Sequence, residues 1–169
     1  DRGWSIVEIQ NEGWRRVVPS PEPISIVEKM VIRTVISKDV PAILIAAGGG
    51  GIPVIEKGGN LEGIEGVIDK DLVSRVLALE IKAEDLIILT DEEAAYVDFK
   101  KPTQKRLGTV TADDMRRHME DGQFPPGSMG PKVRSVVEFV EEGGERGIIT
   151  NAANLKKALD GKAGTTVIP

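Results

Sequence analysis

Apolar positions along this chain switch between a period of two, a helical period and unbroken runs, and the switches lay out its elements. Trp4–Ile9 and Trp14–Val18 alternate around Gln10-Asn11-Glu12-Gly13, which predicts a β-hairpin over about residues 3–18. Pro19, Pro21 and Pro23 end it, because proline cannot donate to a ladder. Apolar residues at 24, 27, 31, 32, 35 and 36 predict a helix from Ile24 to Lys38, stopped by Pro41. Ala42–Ala47 is a continuous apolar run and reads as a strand buried on both faces. It breaks into Gly48-Gly49-Gly50-Gly51, and Gly58–Gly66 follows as a polar, glycine-rich excursion. A second helix is predicted from Ile68 to about Lys82, with Leu72, Val73, Val76 and Leu77 on one face. Leu86–Thr90 reads as another buried strand, Tyr96–Phe99 as a short strand and Lys100–Gly108 as a loop. Thr111 caps a helix that runs to Asp121, with Asp113 and Asp114 in its first turn. Beyond the loop Gly122–Gly130, a helix over Pro131–Glu142 carries Val133, Val136, Val137 and Val140 on its inner stripe. Gly147–Thr150 is a strand, Asn151–Leu159 a helix and Thr165–Ile168 a terminal strand.

Strands alternating with helices predict an α/β fold: a three-layer αβα sandwich with a mainly parallel central sheet. Ligands of such sheets sit outside the carboxyl ends of the strands, where the glycine run falls. Four successive glycines let backbone take positive φ and approach a ligand closely; the alternative reading is a flexible linker. Pro53 stands where a GxGxxG fingerprint needs its third glycine, and no GxxxxGK[ST] occurs, so neither dinucleotide nor Walker-A recognition is indicated.

With 169 residues, 40% hydrophobic and 29% charged, the chain suits one globular domain. Its net charge of -5 argues against nucleic acid as a partner. The absence of cysteine removes disulfide and thiol chemistry and fits a cytoplasmic location. With His118 as its one histidine, a histidine-rich metal site is excluded and no metal ligand is assigned. No apolar run approaches the roughly 20 residues needed to span a membrane. The chain opens at Asp1 rather than Met, so an N-terminal portion is expected to be missing.

Lys70 and Lys132 each fall in the first turn of a predicted helix, after the N-cap Asp69 and after Pro131, which suits the first helical position. The positive end of the helix dipole opposes a lysine there by roughly 0.3–1 kcal/mol. Two such lysines beside the ligand edge of a sheet point to a shared anion, and amides plus ammonium groups make a polyphosphate site. The alternative is two solvated surface lysines. Asp91 and Asp69 could order a lysine or hold Mg²⁺ through water, or act as a turn former and a cap. Met129, in Gly127–Lys132, offers an adaptable face for a purine or a filler for the core. His118 has no acidic or nucleophilic partner at helical spacing, and Ser74 and Ser128 lack a nucleophile elbow.

In order, GWRRVVPSPEP (13–23), AAGGGGIPV (46–54), VIDKD (67–71), LTD (89–91), KPTQK (101–105) and GQFPPGSMGPK (122–132) make nearly the whole chain resemble the C-terminal part of a carbamate kinase of the amino-acid kinase fold. That resemblance implies a C-terminal nucleotide-binding portion over 1–169 and reversible phosphoryl transfer between carbamoyl phosphate and ADP, giving ATP and carbamate, with Mg²⁺. It implies Lys70 as the catalytic lysine, with Asp69 orienting it or the metal shell. Lys132 would bind the nucleotide phosphates, Asp91, Tyr96, Met129 and Gly130 would help form the nucleotide pocket, and Gly48, Gly49, Gly50 and Gly51 would line the carbamate side. A cytoplasmic homodimer supplying ATP from arginine breakdown is likewise implied. Glu92-Glu93-Ala94-Ala95 departs from the glycine-containing turn of many relatives, and the family's N-terminal phosphate loop is absent. Another amino-acid kinase, or a non-catalytic nucleotide-binding fragment, is the alternative.

Overall fold

The computed structural model describes residues 3–9, 13–37 and 42–169. In chain order the strands are β1 (Ile6–Ile9), β2 (Gly13–Arg16), β3 (Val54–Lys57), β4 (Asn60–Gly63), β5 (Asp85–Leu89), β6 (Tyr96–Val97), β7 (Lys105–Arg106), β8 (Thr109–Thr111), β9 (Arg146–Thr150) and β10 (Thr165–Ile168). The helices are α1 (Lys29–Ile36), α2 (Lys70–Ile81), α3 (Ala112–Glu120), α4 (Met129–Glu141) and α5 (Leu155–Leu159), the last preceded by a 3-10 turn at Ala152–Asn154.

One sheet organises the second half, in the order β5-β9-β10-β8. It is mixed: β5 runs parallel to β9, β9 antiparallel to β10, and β10 parallel to β8. Adjacent β9 residues pack on opposite faces, as strand geometry requires. Ile149 joins the main core with Met115, Val133, Val136, Val137, Phe139 and Val167, under α2, α3 and α4. Ile148 faces Ala158 and Ala163, beside α5. Helices therefore cover both faces, as an αβα sandwich demands. Gly147 permits the close seating of α4, because a Cβ there would lie 2.6 Å from Val136 Cβ. Arg146 on β9 grips Asp85 on β5 bidentately, at 2.9 and 2.6 Å, and pins the start of that parallel pair.

The first half departs from the expectations at several points. β1 and β2 pair as the hairpin, but its turn residues 10–12 lie outside the described residues, as do Lys38 and Pro41. The helix expected from Ile24 begins at Lys29 instead. Residues before it are held from another element. The Glu80 carboxylate on α2 accepts the Ile26 N–H at 3.0 Å, the Ser25 hydroxyl at 2.5 Å and the Lys29 ammonium at 2.9 Å. Glu80 thus anchors the segment leading into α1, and no side chain caps the helix itself. Burial pushes the Glu80 carboxyl up, and these donors together outweigh it and hold the group below its ordinary range.

Residues 42–46 are not a buried strand. They form no ladder, and Ile43 and Ile45 are 98% and 92% exposed. A strand needs paired backbone and two covering layers, and among the described residues nothing pairs with this run. Leu44 and Ala46 instead line a cavity with Ile32 of α1, Ile68 and Val73. The excursion at 58–66 supplies the turn and second strand of a short hairpin, β3–β4, closed by Gly58-Gly59 at positive φ. In the second half, β8 joins the central sheet where no strand was predicted, and within the expected loop 100–108, β7 pairs with β6. These pairings are too short to show a period. No described helix is long and apolar enough to cross a membrane.

Candidate functional site

The first turns of α2 and α4 meet beyond the carboxyl end of β5. A polar cavity of about 370 Å³ lies between them, lined by Asp69, Lys70, Asp71, Leu89, Thr90, Asp91, Gly127, Ser128, Pro131 and Lys132. Asp69 caps α2 as its sequence position predicts: its Oδ1 accepts the N–H of Asp71 at 2.7 Å and of Leu72 at 3.3 Å. α4 starts at Met129, two residues ahead of Pro131, which leaves Lys132 in the first turn.

The two lysines share one carboxylate. Lys132 Nζ donates to Asp71 Oδ2 at 2.7 Å, and Lys70 Nζ stands 3.7 Å from the same oxygen. The Lys132 and Asp71 side chains are 13% and 8% exposed, whereas that of Lys70 is 58% exposed. One ammonium is therefore held in place and the other is free to reach outward. Asp71 was not legible as a site residue, since the cap Asp69 and the lysine between them drew the assignment. Its acidic character in a helix first turn was the available signal.

Next to this polar cavity is an apolar one of about 240 Å³, lined by Thr90, Asp91, Glu92, Tyr96, Phe99, Gln123, Phe124, Pro125, Ser128, Met129 and Lys132. Asp91 and Lys132 belong to both, so the two form one groove. Of the chain's three phenylalanines and single tyrosine, all except Phe139 line it. Aromatic residues make up only 4% of the chain, so their gathering here is not a by-product of abundance. The Tyr96 phenol is pushed up by burial and by the charges of Glu93 and Glu92, and stays protonated at neutral pH.

Of the residues expected at a nucleotide site, Lys132, Asp91, Tyr96 and Met129 come together here. Gly130 does not line either cavity; a Cβ there would lie 2.8 Å from Pro125 O, so it serves its own loop. Gly48–Gly51 line neither of these cavities; Gly50 and Gly51 line the separate cavity beside Ile32 and Val73. Gly50 (φ 131°) presses on the turn into α2, where a Cβ would stand 2.2 Å from Ile68 O. Phe99, Phe124 and Gln123 were missed because their loops show no period.

Residues 4–151 match the model of the amino acid kinase family. The carbamate kinase of Thermococcus kodakarensis is 49% identical over 168 residues, covering 99% of this chain and 53% of that one. The carbamate kinase of Staphylococcus haemolyticus is 47% identical, covering 99% and 54%. The carbamate kinase of Giardia lamblia bound to AMP-PNP superposes with a TM-score of 0.92 at 41% identity, covering 98% of this chain and 52% of that one. The chain spans about half the length of the relatives it matches. The mixed sheet, its two helical layers and these matches agree: this chain belongs to the amino acid kinase family.

Proposed function

We propose that this chain carries the nucleotide and phosphoryl-transfer site of a carbamate kinase, acting between carbamoyl phosphate and ADP. The observation that carries the reading is the convergence of Lys70 and Lys132 on Asp71 at two helix N-termini, beside an aromatic cavity. In the direction of ATP synthesis, the bond from phosphorus to the carbamoyl oxygen breaks and carbamate leaves with the electron pair. A terminal oxygen of the ADP β-phosphate forms the new bond to phosphorus. Charge spreads over the equatorial oxygens, and placed positive charge stabilises it with little covalent work by protein.

Lys132, held by Asp71, binds the nucleotide phosphates. Lys70 reaches the transferring group. Asp69 fixes the first turn of α2 and thereby the direction from which Lys70 leaves it. The purine enters the cavity of Tyr96, Phe99 and Met129, and Gly48–Gly51 border the carbamate side through Gly50. Among the described residues there is no cluster of three or more metal-ligating side chains. Mg²⁺ carried by nucleotide phosphates needs only one or two carboxylates, and Asp91, at the junction of the cavities, fits that need through water. When bound it would neutralise phosphate oxygen charge. A homodimer in the cytoplasm, working in arginine breakdown, goes with this reading.

The test is ATP formation from ADP, Mg²⁺ and carbamoyl phosphate, with other acyl phosphates for comparison. Lys70→Ala is expected to lower turnover by at least about 100-fold while ADP affinity stays within a few-fold. Near-normal turnover in that variant would remove Lys70 from its role, and preference for another acyl phosphate would favour another amino-acid kinase. Glu92-Glu93-Ala94-Ala95, in place of the glycine-containing turn of many relatives, favours a second reading, a non-catalytic nucleotide-binding module. ADP binding without any turnover would support it.

A further inference from the structure

A flat apolar cavity accepts any base, so recognition needs a polar group fixed at its wall. Gln123 lines the aromatic cavity, and its carboxamide has a defined orientation. The Asp98 backbone N–H meets Gln123 Oε1 at 2.8 Å. A backbone N–H can only donate, so the oxygen must be the atom turned toward Asp98. The Gln123 NH₂ group, with two donors, then points elsewhere, and no acceptor among the described residues takes it.

The loop that holds this carboxamide is over-determined. Asp98 and Lys100, on either side of Phe99, both take positive φ, at 51° and 62°. Non-glycine residues keep such conformations only where surrounding bonds enforce them. Here the Asp98 carboxylate accepts from Lys101 Nζ and from the Thr103 hydroxyl, each at 2.9 Å. The Lys100 N–H donates to Gln104 Oε1 at 2.7 Å. One strained loop thus fixes both the aromatic wall at Phe99 and the donor at Gln123.

We propose that Gln123 reads the nucleobase, its NH₂ group donating to a ring nitrogen of the bound purine. This rests on the reading of the aromatic cavity as the base pocket of a nucleotide site. The chemistry selects a purine ring nitrogen bearing a lone pair, and it leaves the phosphates to Lys70 and Lys132.

The experiment compares ADP with its 1-deaza, 3-deaza and 7-deaza analogues by titration calorimetry, in the wild-type chain and in Gln123→Glu. The glutamate keeps the acceptor for Asp98 N–H and removes both donors. Its charge toward the phosphates is common to every ligand, and at the ring nitrogen it repels the lone pair that the deaza analogue lacks, which can only remove the penalty further. One analogue is expected to bind the wild type about 3- to 10-fold more weakly than ADP, and to show no such penalty in Gln123→Glu. An unchanged melting temperature in the variant would separate this from a structural role. The proposal fails if all three analogues match ADP in the wild type, or if the penalty persists in the variant. A wild-type chain that binds no ADP at all would instead overturn the nucleotide reading, and Gln123's role with it.

Discussion

Asp71 and Lys132, 61 residues apart in sequence, meet at 2.7 Å between the first turns of two helices. The pair corrects a local mismatch at Lys132. Lys132 sits at the positive end of α4 without an acidic neighbour in that turn, and Asp71 brings the missing charge from α2.

Asp71→Asn leaves the Lys132 ammonium largely buried without its carboxylate. Such a broken pair costs about 3 kcal/mol when no substitute partner exists. Chemical denaturation is expected to show a loss of that order, partly recovered in Asp71→Asn by millimolar phosphate or ADP, which replaces the missing anion. A loss that no anion restores would mean that the pair serves stability alone.

Gly50→Ala places a methyl group 2.2 Å from Ile68 O and forces a side chain into φ 131°. Strain of this kind costs about 1–3 kcal/mol, and relief requires the turn into α2 to move. Turnover and stability are both expected to fall. Gly63→Ala, where a Cβ meets nothing within 4 Å, is the control and should change neither by much. Equal effects at the two positions would show that the approach of Gly50 to Ile68 has no consequence.

The bond from Arg146 holds the Asp85 carboxyl below its ordinary range. A carboxylate with a depressed folded pKa contributes stability that is full above the unfolded pKa and is lost as pH falls through the folded one. The difference in unfolding free energy between wild type and Asp85→Asn should therefore be constant above about pH 5 and shrink toward pH 3. Solvent screens this half-buried pair, so the difference is on the order of 1 kcal/mol. A difference that grows on acidification would contradict the assigned direction.

Most of the second half was legible in its sequence because its helices and longer strands bury their own periodic faces, whereas the short strands β7 and β8 were not predicted. The stripe Val133, Val136, Val137 and Val140 of α4 packs as its spacing foretells, and the caps Asp69 and Thr111 make the bonds their positions imply. Residues 42–46 were misread for the converse reason. An apolar run states a preference for burial, but burial depends on partners that a linear pattern cannot name. The residues leading into α1 are likewise held from outside, by Glu80 on another helix.

By itself the sequence determined the α/β class, the helix starts that carry Lys70 and Lys132, and the glycine run, because propensity, capping and periodicity act between near neighbours. Only the tertiary structure decided that one carboxylate, Asp71, would serve both lysines, that Phe99 and Phe124 would wall a cavity with Tyr96, and that Gln123 would turn its oxygen to Asp98. Those relations depend on which loops and helix ends the sheet brings together, and contacts between residues far apart in sequence leave no periodic trace along the chain.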